Sequence, residues 1–499
     1  MVWVQIVPQG LASAAEDVGK LGAALEEANA FAALRTGGIL PAGADEVSAA
    51  ITPLFIDQSR IYRELAAQGQ AFEQRFMQLL GEAGVAYTET EQAAQQALRD
   101  EIGELESPLT SFLAQAEGVA APASIPPLIV PPSGSVALIV GGTTFPLPNA
   151  QYVSSIMTNF LDNPTLSPLT GAPGQSIFTP EQFWPFTPQL GNLTLGQSVA
   201  QGVQLLNTAI NTELSAGNKV IVYGTSQSSL VATDEIRNLM AVANPPDPSK
   251  LSFFLTGDPG NPNGGFFERF PGLYIPLFDV LFNGATPPNS PFPTVIFTNQ
   301  YDMVTNLPQY VLNPVSDLNA FMGFALFHGT HDYVDLTPGQ IANAIQLPTS
   351  PGYAGATTYY ELLTQNLPLV APLRLYLPPP YGNALADLLQ PDLRVIVDMG
   401  YGSGEYANIP TPASLFELPD PFTIVPDLVH GGVQGPQAAL VDLGFLPQSM
   451  MPTGYPFNPA LDPGLNFPLP QSSVTGVSLL TGYEGQLMRA LGLIPSWDS

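Results

Sequence analysis

Ser226 is the strongest candidate for a catalytic nucleophile in this chain. It lies in the segment Gly-Thr-Ser-Gln-Ser at 224–228, directly after an apolar run at 219–223 and before a helical pattern at 229–240. A serine on a sharp turn between strand and helix exposes its hydroxyl above the sheet, and small flanking residues let other backbone segments approach it. The pentapeptide is weak by itself, so the strand and helix around it carry the interpretation. The alternative is that Ser226 only caps the helix.

A nucleophilic serine needs a base, and the base needs an acid that orients it. In α/β folds with this strand–turn–helix arrangement, the acid and then the histidine follow the serine along the chain. Asp302 follows an apolar run at 294–298, and His331 follows Asp302. We therefore predict the triad Ser226, Asp302 and His331. Asp258 is the rival acid because it also ends an apolar run, although the prolines after it favour a turn-capping role.

The chain has only three histidines, so the base has two other candidates, His328 and His430. His328 and His331, with Asp332 and Asp335, also form a possible metal cluster. That cluster lacks the glutamate of the H-E-x-x-H pattern, and histidine pairs at this spacing are common by accident. We therefore predict no metal and no cofactor.

An oxyanion intermediate needs two backbone N–H donors. The amide of Gln227 is the first candidate, because it follows the serine at the start of the helix. The second is expected from the loop after the apolar run 135–140, where Gly142 and Thr143 lie. The paired glycines of that loop permit a close backbone approach, although a plain tight turn would also explain them.

From residue 134 onward, short apolar runs alternate with helical patterns. Strands are predicted at 135–140, 219–223, 251–255 and 294–298, with helices between them that include 195–214 and 229–240. This alternation predicts an α/β domain with a parallel sheet and helices on both faces. The carboxyl ends of its strands then carry the candidate residues.

The first part of the chain has a different pattern. Apolar residues recur at helical spacing in two segments within residues 1–95, and the Gly-Gly pair at 37–38 separates them. These segments predict an antiparallel helical hairpin, which cannot enclose a core alone and therefore has one apolar face that needs a partner. That face packs either on a separate protein or on the rest of this chain. Residues 96–133 are rich in proline towards their end and are interpreted as a linker.

Composition excludes several classes of function. The 499 residues contain 13 Lys and Arg against 42 Asp and Glu, which gives a net charge of −29 and argues against a nucleic-acid surface. The absence of cysteine excludes disulfides, cysteine-ligated metals and a cysteine nucleophile. No uninterrupted apolar run of about 20 residues is present, so no transmembrane segment is predicted.

The whole chain resembles a mycobacterial PE family protein that carries a PE-PPE domain. The segment Ala-Gly-Ala-Asp-Glu-Val-Ser-Ala-Ala at 42–50 and the length of the hairpin match the PE domain, although Gln9 stands where the Pro-Glu signature has glutamate. Residues 134–380 resemble the PE-PPE domain, an α/β-hydrolase-type serine esterase or lipase. Residues 381–499 resemble the C-terminal extensions of such proteins and carry no motif that we can assign.

The resemblance to the PE-PPE domain rests on short stretches around the candidate site. They are the segment 224–228, the Gly-Asp-Pro-Gly-Asn-Pro-Asn-Gly-Gly stretch at 257–265, Tyr301-Asp302, and His-Gly-Thr-His-x-Tyr at 328–333. The family's triad maps onto Ser226, Asp302 and His331. The serine at 228, in place of the usual glycine, is a family variant.

The resemblance also implies partners and a location. PE hairpins pair with the helices of a PPE-family protein, and a secretion chaperone acts on the PPE side. Tyr87 and Glu91 match the Y-x-x-x-[DE] signal of type VII secretion, just after the second predicted helix. These features imply contact with the type VII secretion machinery and export to the cell envelope, the cell surface or the medium.

The expected activity is that of a secreted serine esterase or lipase that hydrolyses acyl esters through an acyl-enzyme. Two alternatives remain open on sequence: a non-catalytic surface module that retains the hydrolase fold, and an acyltransferase that uses the same triad. The segment 266–282 is dense in phenylalanine and leucine and is either a lid or acyl-chain wall, or part of the core. A lid would favour lipid-like esters.

Overall fold

The computed structural model describes residues 134–328, 333–402 and 406–495, together with isolated helical positions between 19 and 74. The predicted hairpin at 1–95 and the linker at 96–133 otherwise lie outside the described residues, as do Tyr87 and Glu91. The described residues from 134 onward belong to one compact unit.

A parallel sheet forms the centre of this unit. Its strands are β1 Ser135–Val140, β2 Gly174–Ile177, β3 Lys219–Thr225, β4 Leu251–Thr256, β7 Thr294–Asn299, β8 Ile345–Gln346 and β9 Thr357–Leu362. Two further strands, β5 Tyr274–Ile275 and β6 Val280–Leu281, form a separate small hairpin. The sheet order is β2-β1-β3-β4-β7-β9-β8, and every pairing is parallel except that of β8 with β9. The predicted α/β class with a parallel-sheet core is confirmed.

Helices connect and cover these strands. They are α1 Ala150–Ile156, α2 Leu195–Ser215, α3 Gln227–Ala241, α4 Phe266–Arg269, α5 Pro314–Phe327, α6 Pro338–Ile341, α7 Ala371–Tyr376, α8 Tyr381–Asp398, α9 Pro421–Asp442 and α10 Gly476–Ala490. A π-helical turn, Met157–Leu161, continues α1, and short 3₁₀ turns lie at Pro368–Val370 and Gln448–Met450. Local sequence sets the start of α2, because the side chain of Thr194 caps it in a capping box with Gln197.

The sheet is buried on both faces, because alternate residues of each strand point to opposite sides. On β1, Val136 and Leu138 join one apolar cluster, whereas Ala137 and Ile139 join the other. The segment 266–282 packs largely against the first cluster, and Phe267 and Phe282 in it are buried. For Phe267 and Phe282, the structure therefore supports the interpretation of this segment as part of the core.

The residues after 380 are packed against elements that carry the candidate site. Helices α8 and α9 pack on one another, and α8 also contacts α5. The hydroxyl of Tyr301 donates to Asp398 at the end of α8, with 2.7 Å between the oxygens. No helix among the described residues has both the length and the apolar character needed to cross a bilayer.

Candidate active site

The order of the sheet opens a crevice at one place along its carboxyl edge. The chain passes from β1 to β2 on one side and then returns to β3 on the other, so the loops after β1 and β3 diverge between these neighbours. Crevices at such switch points are where α/β folds bind ligands. Ser226 follows β3 and Gly142 follows β1, so both predicted elements lie at this point.

Ser226 adopts a strained backbone on the turn between β3 and α3. Its φ of +54° and ψ of −118° are unusual for a residue with a side chain. Gly224 makes this turn sterically possible, because a Cβ there would lie 2.7 Å from the carbonyl oxygen of Ser228. The Ser228 hydroxyl also accepts a hydrogen bond of 2.8 Å from the Thr225 amide, which closes the turn from within. This is the strand–turn–helix geometry predicted for a nucleophile.

One imidazole bridges the serine and an aspartate. The Nε2 atom of His328 lies 2.8 Å from the Oγ of Ser226, and its Nδ1 atom lies 2.8 Å from the Oδ2 of Asp302. The Asp302 side chain is fully buried, and that of His328 is 6% exposed. A Ser–His–Asp chain with these contacts can move a proton from the serine hydroxyl to the imidazole.

The histidine in this position is His328, whereas sequence analysis had selected His331. His328 is therefore the candidate base among the described residues. The end of α5 positions His328, because the helix ends at this residue and its amide donates a hydrogen bond to the carbonyl of Phe324. His331 lies outside the described residues.

Asp302 accepts hydrogen bonds from its own turn as well as from the imidazole. Its Oδ1 accepts the amide of Val304 at 3.0 Å, which closes a turn of the kind that Asp commonly forms. Its Oδ2 also accepts the hydroxyl of Tyr333 at 2.8 Å. Burial, and after it the negative charge of Asp302, raises the pKa of Tyr333 well above its usual value, so this hydroxyl stays protonated.

A glycine allows α5 to approach the Asp302 turn. A Cβ at Gly323 would lie 1.9 Å from the carbonyl oxygen of Tyr301, which itself has a φ of +68°. Side chains of α8 secure Tyr301, because Asp398 accepts its hydroxyl and Arg394 donates to it. The close contact between α5 and this turn brings the end of α5, and with it His328, over Asp302.

The imidazole is held on two sides by rings and on a third by backbone. Phe324 stacks on His328 with ring centres 5.7 Å apart, and Tyr333 meets it edge-on at 6.4 Å. Gly257, after β4, has a φ of +59°, and a Cβ there would lie 3.1 Å from Cε1 of His328 and 3.3 Å from the amide nitrogen of Ser226. These contacts leave His328 little freedom to turn away from the serine.

The loop after β1 approaches the serine as predicted from its paired glycines. A Cβ on Gly142 would lie 3.4 Å from the Cβ of Ser226 and 3.2 Å from the carbonyl oxygen of Thr225. The hydroxyl of Thr143 donates to Oε1 of Gln227 at 3.0 Å, so this loop is tied to the start of α3. Gly142, Thr143 and Gln227 are thus brought together beside Ser226.

The amide side chain of Gln227 is fixed by a second set of contacts. Its Nε2 donates to the hydroxyl of Ser198 at 2.7 Å and to the carbonyl of Gln182 at 3.2 Å. Within the described residues, no carbonyl accepts a hydrogen bond from the backbone amide of Thr143. The amide of Gln227 is in the first turn of α3, where amides have no partner within the helix. Both amides are therefore available to a ligand.

The rival residues have other roles or other places. Asp258 is buried and accepts hydrogen bonds from the amide of Gly260 and the hydroxyl of Thr286, as expected of a turn-capping residue. His430 lies on the exposed side of α9. No cluster of three or more His, Asp and Glu in the described part of the chain is arranged to hold a metal ion, and the suggested cluster around His331 includes positions outside that part.

Sequence analysis missed several residues that shape the site. Tyr333 was noted within a motif but given no role, and Gly323, Phe324 and Gln182 were not singled out. One sequence signal was available for the base, because the apolar pattern of α5 stops directly before His328. The contacts of the other residues join segments far apart in the chain, and no local sequence pattern predicts them.

Two family models match separate parts of the chain. The model of the PE family matches residues 4–94, and that of the PE-PPE domain matches residues 170–402. PE family protein PE3 of Mycobacterium tuberculosis (strain ATCC 25618 / H37Rv) is 46% identical over 495 residues, which cover 98% of this chain and 99% of that protein. No solved structure matches the chain significantly.

Two further relatives from the same organism have names that state an activity. Esterase PE16 is 40% identical over 442 residues, which cover 88% of this chain and 77% of that protein. SL1278 acyltransferase Chp1 is 31% identical over 291 residues, which cover 56% of this chain and 66% of that protein.

Proposed function

The chain belongs to the PE family and carries a C-terminal PE-PPE domain, and on this premise we propose that it is a serine-dependent hydrolase of carboxylic esters. The observation that carries the proposal is the imidazole of His328, which lies 2.8 Å from both the Ser226 hydroxyl and the Asp302 carboxylate. The similarity to Esterase PE16 supports the same class of reaction.

In the proposed reaction, Oγ of Ser226 attacks the carbonyl carbon of the ester while Nε2 of His328 takes the serine proton. The imidazolium then gives this proton to the leaving alcohol, and an acyl-serine ester remains. Water attacks the acyl-serine with His328 again as the base, and the carboxylic acid is released. Asp302 holds the tautomer in which Nδ1 carries hydrogen, and it stabilises the imidazolium.

The proposed oxyanion donors are the amides of Gln227 and Thr143. Gly142 supports this assignment because its lack of a side chain lets the β1 loop reach the serine. The contact between the side chains of Thr143 and Gln227 fixes the distance between the two donor segments. Each such donor typically lowers the barrier by about 3 kcal/mol.

The substrates that we propose are acyl esters with substantial apolar parts. Phe324, which stacks on the proposed base, is 42% exposed, and on the same helix Leu318 and Phe321 are 52% and 59% exposed. The segment that braces Gln227 likewise presents Trp184 and Phe186 to solvent. Exposed apolar side chains on segments that contact His328 and Gln227 suit an ester with lipid-like acyl and alcohol parts.

The test is a fluorophosphonate probe applied to the full chain, with Ser226→Ala and His328→Ala as loss variants and His430→Ala as the matched control. We expect the wild type and His430→Ala to be labelled at Ser226 and both loss variants to be unlabelled. A series of p-nitrophenyl esters then gives the preferred acyl length. Folded wild-type protein that is not labelled would contradict the proposal and favour the non-catalytic surface module.

Acyl transfer is the second candidate function, and the similarity to SL1278 acyltransferase Chp1 favours it. The first half of the reaction is the same, and an acceptor alcohol replaces water in the second half. A labelled acyl ester and increasing concentrations of alcohol distinguish hydrolysis from acyl transfer. The quantity to measure is the ratio of new ester product to free acid. A ratio that stays near zero supports hydrolysis.

For residues 1–95 we propose pairing with a PPE-family protein and export by type VII secretion, with Tyr87 and Glu91 as part of the signal. The match of the PE family model to 4–94 supports this proposal. Co-expression with candidate PPE proteins tests the pairing. Tyr87→Ala and Glu91→Ala in a mycobacterial host test export to the cell envelope or the medium, and unchanged export in both variants would contradict the signal.

A further inference from the structure

The hydroxyl of Tyr333 has a fixed direction. It accepts a hydrogen bond from the backbone amide of Asn299 at 3.2 Å and lies 2.8 Å from Oδ2 of Asp302. Since a carboxylate only accepts, the tyrosine hydrogen points to Asp302. Tyr333 is 4% exposed, so water does not compete well for this bond.

Oδ2 of Asp302 therefore has two donors, His328 and Tyr333, on one oxygen. A hydrogen bond to an ionised acceptor withdraws part of its charge. The bond from Tyr333 thus weakens the attraction that Asp302 exerts on a positively charged imidazole. Without it, Asp302 would hold the imidazolium more tightly, and the base would be protonated over more of the pH range.

We infer that Tyr333 is a positioning residue that tunes the charge of Asp302 and so sets the pH range over which His328 acts as the base. The inference rests on the proposed function for its effect on turnover. The hydroxyl also fixes the Asp302 carboxylate in the plane in which it meets Nδ1, because the Val304 amide holds the other oxygen. The tyrosine ring packs edge-on against the imidazole and contributes to the same alignment.

In the part of the chain that the structure describes, two titratable side chains contact Asp302. Those in hydrogen-bond contact with Asp302 are His328 from the end of α5 and Tyr333, and the neighbouring backbone at Gly257 after β4 carries no charge. Asp335 is exposed, and His331 and Asp332 lie outside the described residues. A change in the titration of His328 on removal of the Tyr333 hydroxyl is therefore attributable to Asp302.

The experiment is Tyr333→Phe in the full chain, with Tyr359→Phe on β9 as the matched control. Tyr359 is as deeply buried, and its hydroxyl makes no hydrogen bond to a triad residue. The His328 ring is followed by NMR with ¹³C-labelled histidine, assigned with His331→Gln and His430→Gln variants. This titration does not depend on turnover.

We expect Tyr333→Phe to move the midpoint of the His328 titration to higher pH by about 0.5 to 1 unit. The acid limb of the kcat/KM profile should move with it, and kcat/KM at its plateau should fall about tenfold. Tyr359→Phe should change neither. An unchanged His328 midpoint in folded Tyr333→Phe protein overturns the inference, whatever the activity of the wild type. A moved midpoint in a wild type that does not turn over esters supports it and contradicts the proposed function instead.

A double-mutant cycle with Asp302→Asn provides a second measurement. If Tyr333 acts through the charge of Asp302, Tyr333→Phe has no further effect on the His328 midpoint once Asp302 is neutral. A midpoint shift of the same size in both backgrounds would overturn the inference and assign Tyr333 a purely structural role.

Discussion

Asp258 and Asp302 end two neighbouring strands and are held by nearly the same turn. Asp258 follows β4 and Asp302 follows β7, and the residue before each aspartate has a positive φ, +59° at Gly257 and +68° at Tyr301. Each aspartate accepts the amide two residues further on, at 2.9 Å and 3.0 Å. Both side chains are fully buried.

The two turns differ in what meets the second carboxylate oxygen. For Asp258 it is the hydroxyl of Thr286, a neutral donor that is itself bonded to Thr233. For Asp302 a hydroxyl, that of Tyr333, is joined by the imidazole of His328, which also contacts Ser226. The turn alone does not bring an aspartate into contact with an imidazole, whereas helix α5, which ends at His328, does so at Asp302.

Removal of the imidazole should have the largest effect. We expect His328→Ala to lower kcat/KM for a p-nitrophenyl ester about 10⁵-fold, and Ser226→Ala to do the same, because triad members act as a unit. Without the imidazole, the Asp302 turn would contribute as little to catalysis as we expect of the Asp258 turn. His331→Ala is the sharpest control, and we expect it to retain activity within about threefold. If His331→Ala is the inactive variant, the assignment of the base to His328 is wrong.

Neutralising each aspartate tests the comparison directly. Asp302→Asn should lower kcat/KM by about 10³- to 10⁴-fold, because the imidazole loses its orienting anion and takes the wrong tautomer. Asp258→Asn keeps an acceptor for the Gly260 amide and should leave kcat/KM within about threefold. Losses of equal size in the two variants, in protein shown to be folded by circular dichroism, would contradict the distinction between the two turns.

The close approach of α5 should give the next largest effect. Gly323→Ala places a Cβ against the carbonyl of Tyr301, so α5 must shift away from the Asp302 turn. Because misplacement of about 1 Å can cost 10²-fold, we expect kcat/KM to fall by about 10- to 100-fold. Gly432→Ala, in α9 with nothing near its Cβ position, should leave activity unchanged and slightly raise stability. Equal activities of the two variants would show that the approach of α5 does not matter.

Sequence alone predicted the parts of this arrangement that depend on local patterns. The strands before Ser226 and Asp302 were predicted because buried parallel strands are short continuous apolar runs, and the nucleophile turn because it needs small residues at fixed spacing. The choice between His328 and His331 had one local signal, the apolar pattern of α5 that stops directly before His328. It also depends on how closely Gly323 lets that helix pack against the carbonyl of Tyr301, and no local pattern predicts this contact.

The smallest effect concerns stability at the turn without an imidazole. Burial raises the pKa of Asp258 to about 6, against about 3.9 in an unfolded chain. The Asp258 carboxyl therefore binds its proton more tightly in the folded protein than in the unfolded chain. The stability that this protonation contributes is fully present below about pH 4 and is lost as the pH rises through about 6.

Asp258→Asn removes this titration, since the amide is neutral at every pH. Other buried carboxyls with raised pKa values, such as Glu181 and Glu361 at about 8, also make wild-type stability fall with pH, but they contribute equally to both proteins. The difference in the free energy of unfolding between Asp258→Asn and wild type, measured with urea, should thus favour the variant by on the order of 1 kcal/mol more at pH 7.5 than at pH 5. A difference that is the same at both pH values would mean that Asp258 is already charged at pH 5, and it would contradict the raised pKa of this buried carboxyl.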